Sequence, residues 1–248
     1  MKYIAMLLAM LACAGGAAAA PRTLHFCFDE HPPYVLAAKA GKAPTGIKVA
    51  IAATVFSQLD MQIDVRILPF ARCLAMVESG QMDGALPLSM SAEREKFMAF
   101  SQPVNTQVTV FVYKKSRFPN GVAWKTYDDI KHLNLAMNRG SIIDQAMEAA
   151  FGSVRPIARA IDAETLIKLV DAERVDLVAL DKAVATYLVQ AAGLAGVLET
   201  SEQTISETSA YFGISRKSEL VRLLPEINRV LDELHRSGVL ARLVSARY

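Results

Sequence analysis

Arg94 is the residue whose surroundings most suggest chemistry. It lies in "LSMSAEREKFMAFSQPV" (88–104), after small hydroxyl-bearing residues and before an aromatic-rich segment that ends in Ser-Gln-Pro. A guanidinium offers a planar fork of donors that pairs both oxygens of a carboxylate. Two readings fit: the solvated start of a helix N-capped by Ser91, or one half of a ligand clamp. Asp181, in "VDLVALDKAVATYL", occupies the matching place in the second half of the chain. At a strand end just before a helix, it reads as an N-cap. Other chemistries find no residues: there is no Cys/His set at metal spacing, no phosphate loop and no Gly-x-Ser-x-Gly elbow.

The elements that must carry these residues follow from periodicity. "TLHFCF" reads as a buried strand, and "DEHPPYV" as a rigid loop because Pro32 and Pro33 stop regular structure. "GIKVAIAATVFSQLD" has a helical stripe of Ile47, Ile51, Val55 and Leu59. "QIDVRIL" alternates as a strand, "ARCLAMVESG" is a helix closed by Gly80, and "MDGALPL" is a short strand. "TQVTVFVYK" is predicted as the next strand. The pattern then restarts: strand "NLAMN", helix "IIDQAMEAAFG", strand "RPIARAI", helix "AETLIKLVDAE", strand "VDLVAL", helix "KAVATYLVQAAG". "MVESGQMDGAL" and "LVDAERVDLVAL" share one plan of helix, turn, Asp and strand. The last segment is a strand, then a helix with leucines at three-four spacing, which Pro225 either kinks or starts.

The class is therefore α/β with largely parallel sheets, in two similar units with a cleft between them. The expected division is a first lobe over 21–107, a second over 108–203, and a return to the first over 204–248. In open α/β sheets, ligands bind beyond the carboxyl ends of strands. That selects the loops Asp29 to Tyr34, Pro69 to Arg72, Leu88 to Arg94, Arg139 to Ile142, and Asp181.

Composition sets the compartment. "MKYIAMLLAMLACAGGAAAA" has a basic start, a short apolar run and then small residues, the grammar of a secretory signal peptide over 1–20. Cleavage is expected near Ala19 or Ala20. Cys13 is a poor lipidation site after Met10 and Leu11. Without Lys2 the chain carries 26 basic residues against 25 acidic, a balance that gives no reason to expect a nucleic-acid partner. Cys27 and Cys73 fit either a disulfide in an oxidising compartment or two small buried hydrophobes.

"DEHPPY", "LPFARCLAMVESGQMDGAL", "LSMSAEREKFMAFSQPV", "LAMNRGSIID" and "VDLVALDKAVATYL", in this order, resemble family 3 of the bacterial extracellular solute-binding proteins. These are the polar amino acid receptors of ABC importers. The resemblance implies the two-lobed type II periplasmic binding protein fold, and a monomeric periplasmic protein that needs no cofactor. Its partners would be an amino-acid-like ligand and, transiently, an ABC permease. It gives Arg94 the ligand's α-carboxylate and Asp181 its α-amino group. Ser89 and Ser141 match hydroxyl positions near the carboxylate, with the amides of a helix N-terminus as further donors. Phe70 matches an aromatic shelf, and His31 an aromatic position on the facing wall. The chain departs from the family pattern at several points. Lys48 and Ala50 stand where acids are frequent, Pro87 and Leu88 replace hydroxyls, and Ile142 replaces a frequent Thr. Arg72 and Arg139 add positive charge near the cleft. These changes leave room for an acidic or modified ligand. Two other functions share the scaffold. One is a cyclohexadienyl dehydratase-like enzyme, for which Glu30 is the nominee as acid; the other is an orphan sensor. The primary expectation is a binding protein and not an enzyme.

Overall fold

A computed structural model describes residues 22–38, 42–139 and 144–245. The signal-peptide stretch and Cys13 lie outside these residues, as do Ser141 and Ile142. The first lobe alternates β1 (Arg22–Phe28), α1 (Ile47–Ser57), β2 (Met61–Ile67), α2 (Phe70–Ser79), β3 (Gly84–Leu88) and the single turn α3 (Ala92–Glu95). β1 lies between β2 and β3, parallel to both. Next comes the 17-residue β4 (Met98–Lys114). The second lobe repeats the plan with β5 (Leu135–Asn138), α4 (Gln145–Gly152), β6 (Ala158–Ala160), α5 (Ala163–Asp171), β7 (Leu177–Asp181) and α6 (Lys182–Ala191). β5 is parallel to both β6 and β7. The short β8 (Leu198–Thr200) leads to β9 (Ser206–Ser215), α7 (Leu224–Arg236) and α8 (Val239–Ser245).

The strand order is β2-β1-β3-β9-β4-β7-β5-β6, with β8 on β4. β4 and β9 are antiparallel and join the lobes. From Met98 to Thr109, β4 pairs with β9; from Thr109 to Val112 it pairs with β7. The sequence placed the start of this strand eight residues later, at Thr106. Pro103 reads as a break, since it cannot donate to a ladder. Here it sits where the β4–β9 register shifts, a position that tolerates proline. "RPIARAI" contracts to a three-residue strand at its centre.

Three apolar clusters form the core. The first packs α1, α2 and α7 on the β1–β3 sheet, with Phe26, Phe56 and Phe212 in mutual ring contact at 5.1 to 6.1 Å. The other two cover opposite faces of the second sheet. Phe111 and Val112, neighbours on β4, enter one each, as strand alternation requires. Pro225 stands in the first turn of α7, so it starts that helix and does not kink it. Gly84 and Gly213 let β3 and β9 approach closely: a Cβ on Gly84 would lie 2.6 Å from the Gly213 carbonyl oxygen. Cys27 and Cys73 are joined in a disulfide that ties β1 to α2, with Cα atoms 5.6 Å apart.

The internal repeat extends to side chains. The Asp83 carboxylate accepts from the His25 amide at 2.9 Å, and the Asp83 amide donates to the His25 carbonyl at 2.8 Å. In the second lobe Asp176 does the same with Asn134, at 2.7 and 2.9 Å. One aspartate just before each inner strand clasps the strand beside it.

Candidate functional site

The loop after β3 positions Arg94. Ser91 caps α3, accepting from the Arg94 amide at 3.4 Å. The side chain turns back so that Nη1 donates to the Ser89 carbonyl at 2.6 Å and to Ser89 Oγ at 2.9 Å. The guanidinium lies 5.2 Å from the centre of the Phe70 ring, a cation–π contact. Nε and Nη2 have no hydrogen-bond partner among the described residues, which leaves one edge of the fork open. Burial lowers the guanidinium from its ordinary pKa. α3 spans only Ala92–Glu95, so the expected set of helix amides beside Arg94 reduces to a single turn.

The turn 31–35 forms the facing wall. Gly46, at φ +118°, lets α1 approach it: a Cβ there would stand 2.6 Å from the Tyr34 carbonyl oxygen. The first α1 amides, which have no partner within the helix, donate to this turn, Ile47 to Pro33 O at 3.1 Å and Lys48 to Tyr34 O at 3.0 Å. His31 and Tyr34 stack in parallel, 5.8 Å apart. His31 faces the cleft, yet the protein around it lowers its pKa, with Lys48 contributing in the same direction.

Asp181 ends β7 and caps α6. Its Oδ1 accepts from the amides of Ala183 at 2.9 Å and Val184 at 3.1 Å. The Tyr34 hydroxyl, from the other lobe, donates to the same carboxylate. Capping and a second contact thus coexist on one carboxylate: Oδ1 takes both amides, and the Tyr34 hydroxyl lies 2.9 Å from each oxygen. Burial raises the Asp181 pKa, and the three hydrogen bonds oppose that rise. Burial, then the Asp181 charge, raises the Tyr34 phenol.

Lys48 was visible in the sequence only as a departure from a pattern. Its side chain is 3 % exposed, and Nζ lies 4.0 Å from the Phe28 ring centre and 5.1 Å from that of Tyr34. Burial lowers its pKa to about 7, against the pull of Asp29 and Asp181 and with a further push from Arg94.

Two adjoining cavities collect these groups. One, of about 240 Å³, is lined by Asp29, His31, Lys48, Phe70, Ser89 and Arg94 among others. The other, of about 270 Å³, includes His31, Thr109, Asn138, Asp181 and Ser206. They meet at His31. Together they fall in the range of small-ligand sites, roughly 300–1,000 Å³. The structure thus brings Arg94, Ser89, Phe70, His31 and Asp181 to one cleft. Arg72 is exposed on α2, and Arg139 is exposed after β5. Neither lines these two cavities among the described residues. Glu30 is exposed and accepts from the Ala37 amide. Lys48, Tyr34 and Gln107, a second side-chain partner of the Tyr34 hydroxyl, escaped the sequence reading as site residues.

Residues 24–246 match the sequence profile of the bacterial extracellular solute-binding proteins, family 3. The chain belongs to that family. A curated relative is "Probable amino-acid-binding protein YxeM" of Bacillus subtilis (strain 168). It is 25% identical over 212 residues, covering 85% of this chain and 78% of the relative. Among solved structures, an ancestral cationic amino acid solute-binding protein superposes with a TM-score of 0.74 at 19% identity, covering 90% of this chain and 94% of that one. A histidine kinase sensor domain with similarity to periplasmic binding proteins gives 0.67 at 17% identity, covering 91% of this chain and 96% of that one. The family 3 protein described here therefore has the type II periplasmic binding protein fold.

Proposed function

We propose that this family 3 protein captures an amino-acid-like carboxylate between its two lobes and presents it, from the periplasm, to an ABC importer. The observation that carries the reading is the open edge of Arg94. The guanidinium is oriented by Ser89 and backed by Phe70, and Arg94 lines a cavity that adjoins the one lined by Asp181 on the other lobe. Arg94 takes the carboxylate in a two-pronged pairing, with Ser141 and Ile142 as further candidates beyond the described residues. Asp181 takes a cationic group if the ligand has one. A ligand that touches both lobes favours the closed arrangement by differential affinity. We place the division of the lobes near 107/108, within β4, and near 203/204, just before β9.

The disulfide supports export, since such bonds persist in oxidising compartments. No helix among the described residues is long and apolar enough to cross a membrane. A binding role, not turnover, fits the cleft best: Glu30, the acid nominated for dehydration, is exposed and lines neither cavity. The test is a thermal-shift screen of the mature protein against amino acids and small carboxylates, followed by assays for turnover of each hit. Stabilisation without consumption supports capture. Release of product from a stabilising compound would replace it with catalysis.

A further inference from the structure

Lys48 is 3 % exposed and lines a cavity, and its amine has no hydrogen-bond or ion-pair partner among the described residues. Among the described residues no carboxylate stands within ion-pair distance of it, and no acceptor within hydrogen-bond distance; its recorded contacts are the faces of Phe28 and Tyr34. Buried cations ordinarily pair with an anion, because desolvation is costly without one. Yet α1 holds this side chain in place through the Gly46 turn, and its amine lines the same cavity as Arg94. The two cations bracket an aromatic pair. Lys48 lies over Phe28, Phe28 meets Phe70 edge to face at 5.4 Å, and Arg94 lies over Phe70. A ligand lying along the cavity past these rings meets a positive group at each end.

Resting on the carboxylate reading above, we propose that the ligand carries two anionic groups, the first held by Arg94 and the second by the ammonium of Lys48. Its class is a small molecule with two carboxylates, with or without an amino group. The Phe28 and Phe70 rings flank the carbon chain between them. The groups whose charge acts on Lys48 are Asp29, His31, Arg94 and Asp181, and the neutral Tyr34 ring faces it. Asp29 and Asp181 favour its charged form, Arg94 opposes it, and an arriving carboxylate adds to the favourable side. In the free protein near pH 8 the amine is largely neutral, so binding a second carboxylate should draw in a proton.

The experiment is isothermal calorimetry on the mature protein with glutamate, glutamine, aspartate, asparagine and succinate, at pH 6 and pH 8, in buffers of different ionisation enthalpy. Each is repeated with Lys48→Met, which keeps the packing and removes the charge. The expected result is that an acid binds at least about tenfold more tightly than its amide, as loss of a charge-assisted bond implies. It binds with proton uptake at pH 8, and Lys48→Met abolishes both the preference and the uptake. An unchanged preference in Lys48→Met, or equal binding of acid and amide by the unaltered protein, overturns the inference. If Lys48→Met does not fold, the acid-to-amide ratio and proton uptake of the unaltered protein decide it alone. Arg94-dependent binding of neutral amino acids without any acid preference sinks this inference and leaves the carboxylate reading standing. Failure of every carboxylate to bind sinks both.

Discussion

The hydroxyl of Tyr34, on the first lobe, lies 2.9 Å from both carboxylate oxygens of Asp181, on the second. These residues are 147 positions apart in the chain, and their contact ties the two walls of the cleft. Tyr34 is 2 % exposed, so Tyr34→Phe keeps the ring packing and removes only the donor. A hydrogen bond to a charged group contributes about 1.5–3 kcal/mol. Part of that is recovered by water, so ligand affinity should fall about 5- to 30-fold. Small-angle scattering should show a larger radius for the free variant. Unchanged affinity and radius would mean that the contact does not hold the lobes together.

Asp181→Asn separates capping from charge. The Asp181 carboxyl is raised above its unfolded value by burial, so the folded state holds its proton more tightly than the unfolded state does. Stability is therefore lost as pH rises from the ordinary carboxylate value through the raised one, and the loss is complete above it. Asparagine caps a helix about as well as aspartate. The variant should be more stable than the parent at pH 7, and the gain should shrink towards zero near pH 3. Denaturant unfolding at the two pH values measures this. In binding, ammonium-bearing ligands should lose more affinity than plain carboxylates; equal losses would count against Asp181 as an amine acceptor.

Residues in short contiguous motifs were legible, and residues defined by contacts across the cleft were not. Arg94, Ser89 and Ser91 lie within six positions of one another, so their geometry is local. The repeat of helix, turn, Asp and strand around Asp83 and Asp176 showed because it occurs twice in one pattern, but the clasp these aspartates make did not. Asp181 had two readings in the sequence, and its carboxylate in fact caps α6 while also meeting Tyr34. Tyr34 gave no sign of its role, since its partner belongs to the other lobe. Lys48 was legible as an anomaly but not as a site residue, because nothing in "GIKVAI" tells that α1 points the amine onto Phe28. The start of β4 was hidden by Pro103, whose effect depends on a register shift that only the paired strand reveals.

The Cys27–Cys73 link spans 46 positions. Chain-entropy arithmetic for a loop of that size gives about 4 kcal/mol of stabilisation. Both sulfur-bearing residues are fully buried, so the test is the double variant Cys27→Ala/Cys73→Ala, compared with the parent by urea unfolding. A loss of roughly 3–5 kcal/mol is expected. A loss below about 1 kcal/mol would show that the loop is restrained by packing alone.

The most direct test of the carboxylate grip is calorimetry of the mature protein and Arg94→Ala with whichever carboxylate stabilises the parent. Arg94 is half-buried at the cleft and outside all three apolar clusters, so the variant should unfold within a few degrees of the parent, as a surface substitution does. Losing two charge-assisted bonds should weaken binding at least about 100-fold. A folded Arg94→Ala protein that binds the same ligand with unchanged affinity would contradict the placement of the carboxylate on Arg94.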